Sequence, residues 1–128
     1  MSTAKIANLK SLTNDIPPVI KDLSGREIGQ FCTAWISFNG VTPAINSNFN
    51  FPTYTDNGTG NYTFDFGVAM SNANYQTSVS LYEWGSNNPT LVGKITITTT
   101  DVSVTMFDVG AVAARDSPLV NVAVFGGL

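Results

Sequence analysis

The sequence contains no histidine, and that absence removes several chemistries at once. A Ser–His–Asp triad, a Cys–His pair and the common His-ligated zinc sites all need an imidazole. A single cysteine, Cys32, permits no intrachain disulfide, so the fold cannot rest on a disulfide framework. Charge is scarce too: 12% of the 128 residues are charged, half the ~25% typical of globular chains. Six basic residues against nine acidic ones give a net charge of −3, which argues against nucleic acid as a partner. No apolar run approaches the ~18 residues that cross a bilayer, so no membrane insertion is expected. The N-terminus is not followed by the apolar stretch of a signal peptide, which points to synthesis in a cytoplasm without export.

Neutral polarity stands in place of charge: 15 Thr, 13 Asn and 11 Ser. With 43% apolar and 11% aromatic residues, the chain has too much to bury to be disordered. Its length fits one domain with an ordinary core. The composition describes a β-rich domain that offers hydroxyl and amide groups to its surroundings.

Residues 1–25 differ from the rest. Ile6, Leu9 and Leu12 follow a short helix-like spacing, and Pro17-Pro18 then stops any helix and fixes an extended segment. Lys5, Lys10, Lys21 and Arg26, four of the six basic residues, fall within or directly beside this stretch. Two readings stand: a frayed tail, or an attachment arm that orders on docking to a partner.

From residue 26 to residue 128 the period becomes two. Cys32, Ala34, Ile36 and Phe38 alternate with Thr33, Trp35 and Ser37 up to a turn at Asn39-Gly40. Ile45, Ser47, Phe49 and Phe51 form a second apolar phase, and Tyr62, Phe64, Phe66 and Val68 a third. Between these last two runs, Asp56-Asn57-Gly58-Thr59-Gly60 is the strongest turn in the chain, because Asn and Gly tolerate positive φ. Val79 and Leu81 alternate with Ser78, Ser80, Tyr82 and Trp84; two β-branched runs flank Asp101; Val120, Val122 and Val124 close the chain. Seven or eight short strands with turns every 8–12 residues predict an all-β antiparallel sandwich behind a short N-terminal arm.

Few residues invite chemistry. Trp35 is expected to pack on a second sheet or a subunit neighbour in preference to a ligand. Phe38 reads as core, and Cys32 as a small buried hydrophobe with no base to activate it. The oxygen-rich turn at Asp56, Asn57 and Gly58 lacks the carboxylates of a calcium loop. No acid pair stands out for glycoside hydrolysis, which leaves a hydrolase as a remote alternative. No catalytic residue, metal or cofactor is expected. The segment Tyr82-Glu83-Trp84-Gly85-Ser86-Asn87-Asn88 combines rings, amides and an acid, a mixture suited to a sugar or protein surface. Tyr82, Glu83, Trp84, Asn87 and Asn88 are therefore candidate contacts; the alternative is a hairpin whose rings pack on a neighbouring strand or subunit.

Trp35-Ile36-Ser37-Phe38-Asn39-Gly40 resembles the opening of C-terminal domains in bacteriophage tail-fibre and related virion fibre proteins. Asn48-Phe49-Asn50, then Thr55-Asp56-Asn57-Gly58-Thr59-Gly60-Asn61-Tyr62-Thr63-Phe64-Asp65-Phe66, is similar to that family's hairpin block. Asn121-Val122-Ala123-Val124-Phe125-Gly126 resembles its ending. The likeness covers residues 17–76 and 119–126. It implies a non-enzymatic virion protein and a homotrimer; strand phase and turn chemistry make Trp35, Phe38, Asp56, Asn57, Gly58, Tyr62, Phe64 and Phe66 structural positions. The implied partners are other virion proteins (tail, baseplate or capsid) and a host surface glycan or protein. Virion attachment falls to Ile6, Leu9, Leu12, Pro17 and Pro18. Such domains usually follow a long shaft, whereas about 25 residues precede this one. A capsid decoration (cement) protein is therefore the alternative to a tail-fibre or receptor-binding tip.

Overall fold

The period-two runs become strands of an all-β fold in a computed structural model that describes residues 20–82 and 90–127. Eleven strands form in chain order: β1 Ile20–Lys21, β2 Glu27–Gly29, β3 Cys32–Asn39, β4 Ala44–Phe49, β5 Thr53–Asp56, β6 Asn61–Asp65, β7 Gln76–Tyr82, β8 Thr90–Ile97, β9 Asp101–Asp108, β10 Ala113–Ala114 and β11 Leu119–Phe125. All pairings are antiparallel. The front sheet has the order β4-β3-β11-β7; the back sheet runs β5-β6-β9-β8, with β10 beside the end of β9. Among the described residues, β1 and β2 pair only with each other. Their turn is braced by Asp22, which accepts from the Ser24 and Arg26 backbone N–H groups and from both side chains. The boundary expected at residue 25 lies inside this hairpin.

Alternation determines which side chains meet between the sheets. Ala34, Ile36 and Phe38 from β3 and Val120, Val122 and Val124 from β11 face Tyr62 and Phe64 from β6 and Val102, Val104 and Met106 from β9. Phe38 sits at the centre of an aromatic cluster, with ring centroids 4.7 Å from Tyr54, 4.9 Å from Tyr62 and 5.2 Å from Phe64. Each such ring, fully buried, contributes roughly 1.5–3 kcal/mol. The cluster closes the β4/β5 side of the sandwich. On the other side the inward apolar chains of β7 and β8 are aliphatic, and Ile95 and Ile97 on β8 remain 38% and 36% exposed.

Two bulges overturn parts of the expected phase. On β4, Ile45 pairs with Phe38 but Ser47 pairs with Ser37, so Asn46 is an extra residue. A one-residue insertion flips everything beyond it to the other face. Ile45 therefore points inward, while Phe49, expected in the same apolar phase, pairs with Trp35 on the outward face and is 54% exposed. Asn50, at φ 56°, turns the chain so that Phe51 re-enters the core. On β3, the pairings Val124 with Ala34 and Phe125 with Cys32 leave Thr33 as the extra residue. Thr33 is buried and its hydroxyl donates to the Gly126 carbonyl at 2.9 Å. Cys32, expected to be buried, is only half-buried. Val68 also departs from expectation: β6 ends at Asp65, and Val68 is exposed beyond it.

Candidate functional site

The strongest turn of the sequence closes the β5–β6 hairpin. Asp56 Oδ1 accepts from Gly58 N at 2.9 Å, and the Asn57 and Asn61 backbones bond across the loop. Gly60 (φ +66°) approaches so closely that a Cβ there would lie 2.7 Å from the Arg115 carbonyl oxygen. Asp116 fastens this turn to the body: its Oδ1 accepts from Gly60 N at 2.6 Å and lies 2.5 Å from the Tyr62 hydroxyl. The same hydroxyl is 2.7 Å from the Gly40 carbonyl. Burial, and then the hydrogen bond to Asp116, raise the Tyr62 phenol well above its ordinary value. A phenol held this way keeps its proton and acts as a bolt between two turns.

The other acids also brace loops. Asp108 Oδ2 pairs with Arg115 Nη1 at 2.6 Å, and its Oδ1 accepts from Gly110 and Ala111 N–H. The Ala111 N–H bond, followed by the Arg115 bond, holds Asp108 below the usual carboxylate range. Asp101 Oδ2 accepts from the Thr98 and Thr100 hydroxyls at 2.8 Å each. Among the described residues no group of three or more Cys, Asp or Glu side chains comes together as a metal site.

The outward face of the front sheet is where side chains gather without an internal task. None of its four strands contains a charged residue. Pairing aligns Phe49, Trp35, Ala123 and Ser78 in one row and Ser47, Ser37, Asn121 and Ser80 in the next. Trp35, expected to meet a second sheet or a subunit, points away from the back sheet and is 37% exposed. A depression of about 250 Å³ lies over β3, β11 and β7, lined by Trp35, Ser37, Ser78, Ser80, Asn121 and Ala123. Tyr82 shares this face, at its end opposite Leu119, and is 52% exposed.

Of the candidate contacts, Tyr82 thus joins the Trp35 face, whereas Glu83, Trp84, Asn87 and Asn88 lie outside the described residues. So do Ile6, Leu9, Leu12, Pro17 and Pro18. Sequence reasoning did not single out Phe49, Ser78, Ser80 or Asn121. Alternation marks the serines and Asn121 as outward, but only the pairing of β11 between β3 and β7 makes them neighbours. The chain matches no family model, no curated protein and no solved structure.

Proposed function

We propose that this chain is a non-enzymatic virion module of a bacteriophage, a trimeric fibre or knob domain attached through its N-terminal arm, working as a receptor-binding tip. The observation that carries the reading is the front sheet's outward face: an uncharged surface with Trp35, Phe49 and Tyr82 exposed among hydroxyl and amide groups. Interface cores are depleted in charge and enriched in aromatic residues, so this is a surface built for contact. Asp56, Asp101 and Asp108 serve turns instead of converging on a cleft. Support for self-association lies elsewhere, on the β7/β8 side, where two strand edges that are unpaired among the described residues flank Ile95 and Ile97. A second copy of the chain covers such edges naturally.

Native mass measurement tests the assembly: the trimer has a mass of about 41 kDa, three times the 13.6 kDa chain. A persistent monomer at micromolar concentration counts against it. Copy number in purified particles tests the role. Tens of copies fit a tip; a number that scales with the capsid lattice fits the decoration protein.

A further inference from the structure

The front sheet's outward face has a step in it. Trp35 and Phe49 stand tall on β3 and β4, while β11 and β7 present only Asn121, Ala123, Ser78 and Ser80 beside them. The step produces the 250 Å³ depression, just below the ~300–1,000 Å³ usual for small-molecule sites. A depression of that size, lined by Trp35, Ser37, Ser78, Ser80, Asn121 and Ala123, admits a single small ring.

The polar groups narrow the ligand further. Ser37 and Ser78 make no side-chain hydrogen bond among the described residues, and Asn121 has only a 3.4 Å contact from its Nδ2 to Ser80 Oγ. Hydroxyl and amide groups both donate and accept, which matches the donor–acceptor pattern of a sugar's hydroxyls. The C–H face of a pyranose ring is apolar and fits against an exposed indole. With no charge on the four strands, an acidic sugar or a phosphate gains no partner here.

We infer that the trough between Trp35 and Ser80 binds one uncharged pyranose ring of a surface glycan, stacked on Trp35 and hydrogen-bonded by Ser37, Ser78, Ser80 and Asn121. This inference rests on the receptor-binding reading and assigns the ligand class of that face.

The test uses the full-length chain, isotope-labelled for NMR, titrated with glucose, galactose, mannose, rhamnose, N-acetylglucosamine and N-acetylgalactosamine to tens of millimolar. At least one sugar shifts the amides of residues 35, 37, 78, 80 and 121. The effect is unchanged from about 0.05 to 0.5 M salt, because no charge is involved. Trp35→Ala weakens binding on the order of tenfold, about 1.4 kcal/mol, and Ser80→Lys, which fills the trough, abolishes it; Thr105→Lys on the back sheet leaves it intact. The inference is overturned if none of the six sugars shifts these amides, if the shifts map elsewhere, or if Trp35→Ala splits an oligomer and so shows the face to be a contact between copies. Particles separate this failure from failure of the broader reading. If only the sugar site is wrong, particles carrying Trp35→Ala adsorb normally while particles lacking the chain do not; if the virion role is wrong, purified particles contain no such chain.

Discussion

The two sheets turn similar numbers of hydroxyl groups outward but use them differently. On the back sheet the Thr63 and Ser103 hydroxyls lie 2.9 Å apart across β6 and β9, Asn57 Nδ2 donates to Thr63 at 2.9 Å, and Thr53 donates to Asp65 at 3.2 Å. Lys94, Asp65 and Asp101 add charge to that sheet. Thr53, Thr63 and Ser103 are paired in this way, while Thr55, Thr96 and Thr105 on the same face have no side-chain partner among the described residues. On the front sheet Ser37, Ser47 and Ser78 have no such partner among the described residues, and no charge accompanies them. The two faces therefore differ in charge and in exposed rings: the front sheet sets its unpaired serines beside Trp35, Phe49 and Tyr82, and unpaired groups beside exposed rings are what a ligand needs.

The largest break in this comparison comes from between the sheets. Phe64 is fully buried, 5.2 Å from Phe38 and 6.2 Å from Phe51 by ring centroid. Phe64→Ala removes the side chain that holds the two sheets in register and is expected to cost about 3–5 kcal/mol. Chemical denaturation measures it; a cost below about 1 kcal/mol contradicts the interdigitated core. Both outward faces then lose their alignment together.

Next in size is the turn that ties the back sheet to the β10–β11 connection. Gly60→Ala meets positive φ and backbone atoms 2.7–2.8 Å away, so the loss is on the order of 2–3 kcal/mol. Gly58 has a φ of +107° but open space around it. Gly58→Ala therefore carries only the conformational penalty, which at φ +107° is no smaller than at +66°, so a greater loss of melting temperature at Gly60 reports the close approach.

Acid sharpens the contrast from the charge side. The folded-state pKa of Asp108 is depressed, chiefly by the Ala111 N–H and Arg115 bonds. A depressed carboxylate contributes stability above its unfolded pKa, and that contribution is lost as pH falls through the folded value. Stability should therefore decline below about pH 4, and Asp108→Asn should flatten that decline. The front sheet, with no titratable carboxylate on its strands, adds nothing to it. An acid limb identical in the variant shows that other groups carry it.

How much of this was legible beforehand follows from the same residues. The inward phases of β3, β6, β9 and β11 could be read from alternation, as could the Asp56–Gly58 turn, because side-chain period and turn chemistry are local. The bulges at Thr33 and Asn46 could not, since an extra residue is defined only against a partner strand. The bulge at Asn46 is why Phe49, in the apolar phase of Ile45 by alternation, stands outward beside Trp35. Strand order is equally non-local: nothing in the period of residues 119–125 says that β11 lies between β3 and β7. The β1–β2 hairpin also escaped detection, because two- and three-residue strands are too short to show a period.

The smallest expected effect tests the comparison most directly. Ser103→Ala removes a hydroxyl with a 2.9 Å partner in Thr63, and a cross-strand pair of this kind is worth about 0.2–1 kcal/mol. Thr63 keeps its bond from Asn57, so no polar atom is stranded and the loss stays at that scale. Ser37→Ala on the front sheet removes a hydroxyl without a protein partner, and its cost should be indistinguishable from zero. Double-mutant cycles remove the background: Thr63→Ala with Ser103→Ala should couple, whereas Ser37→Ala with Asn121→Ala should be additive, although those residues sit side by side on β3 and β11. Equal coupling in both cycles would mean that the front-sheet hydroxyls are also bound within the protein. The face would then be satisfied internally as the Thr63–Ser103 pair is, and the argument for a ligand there would lose its footing.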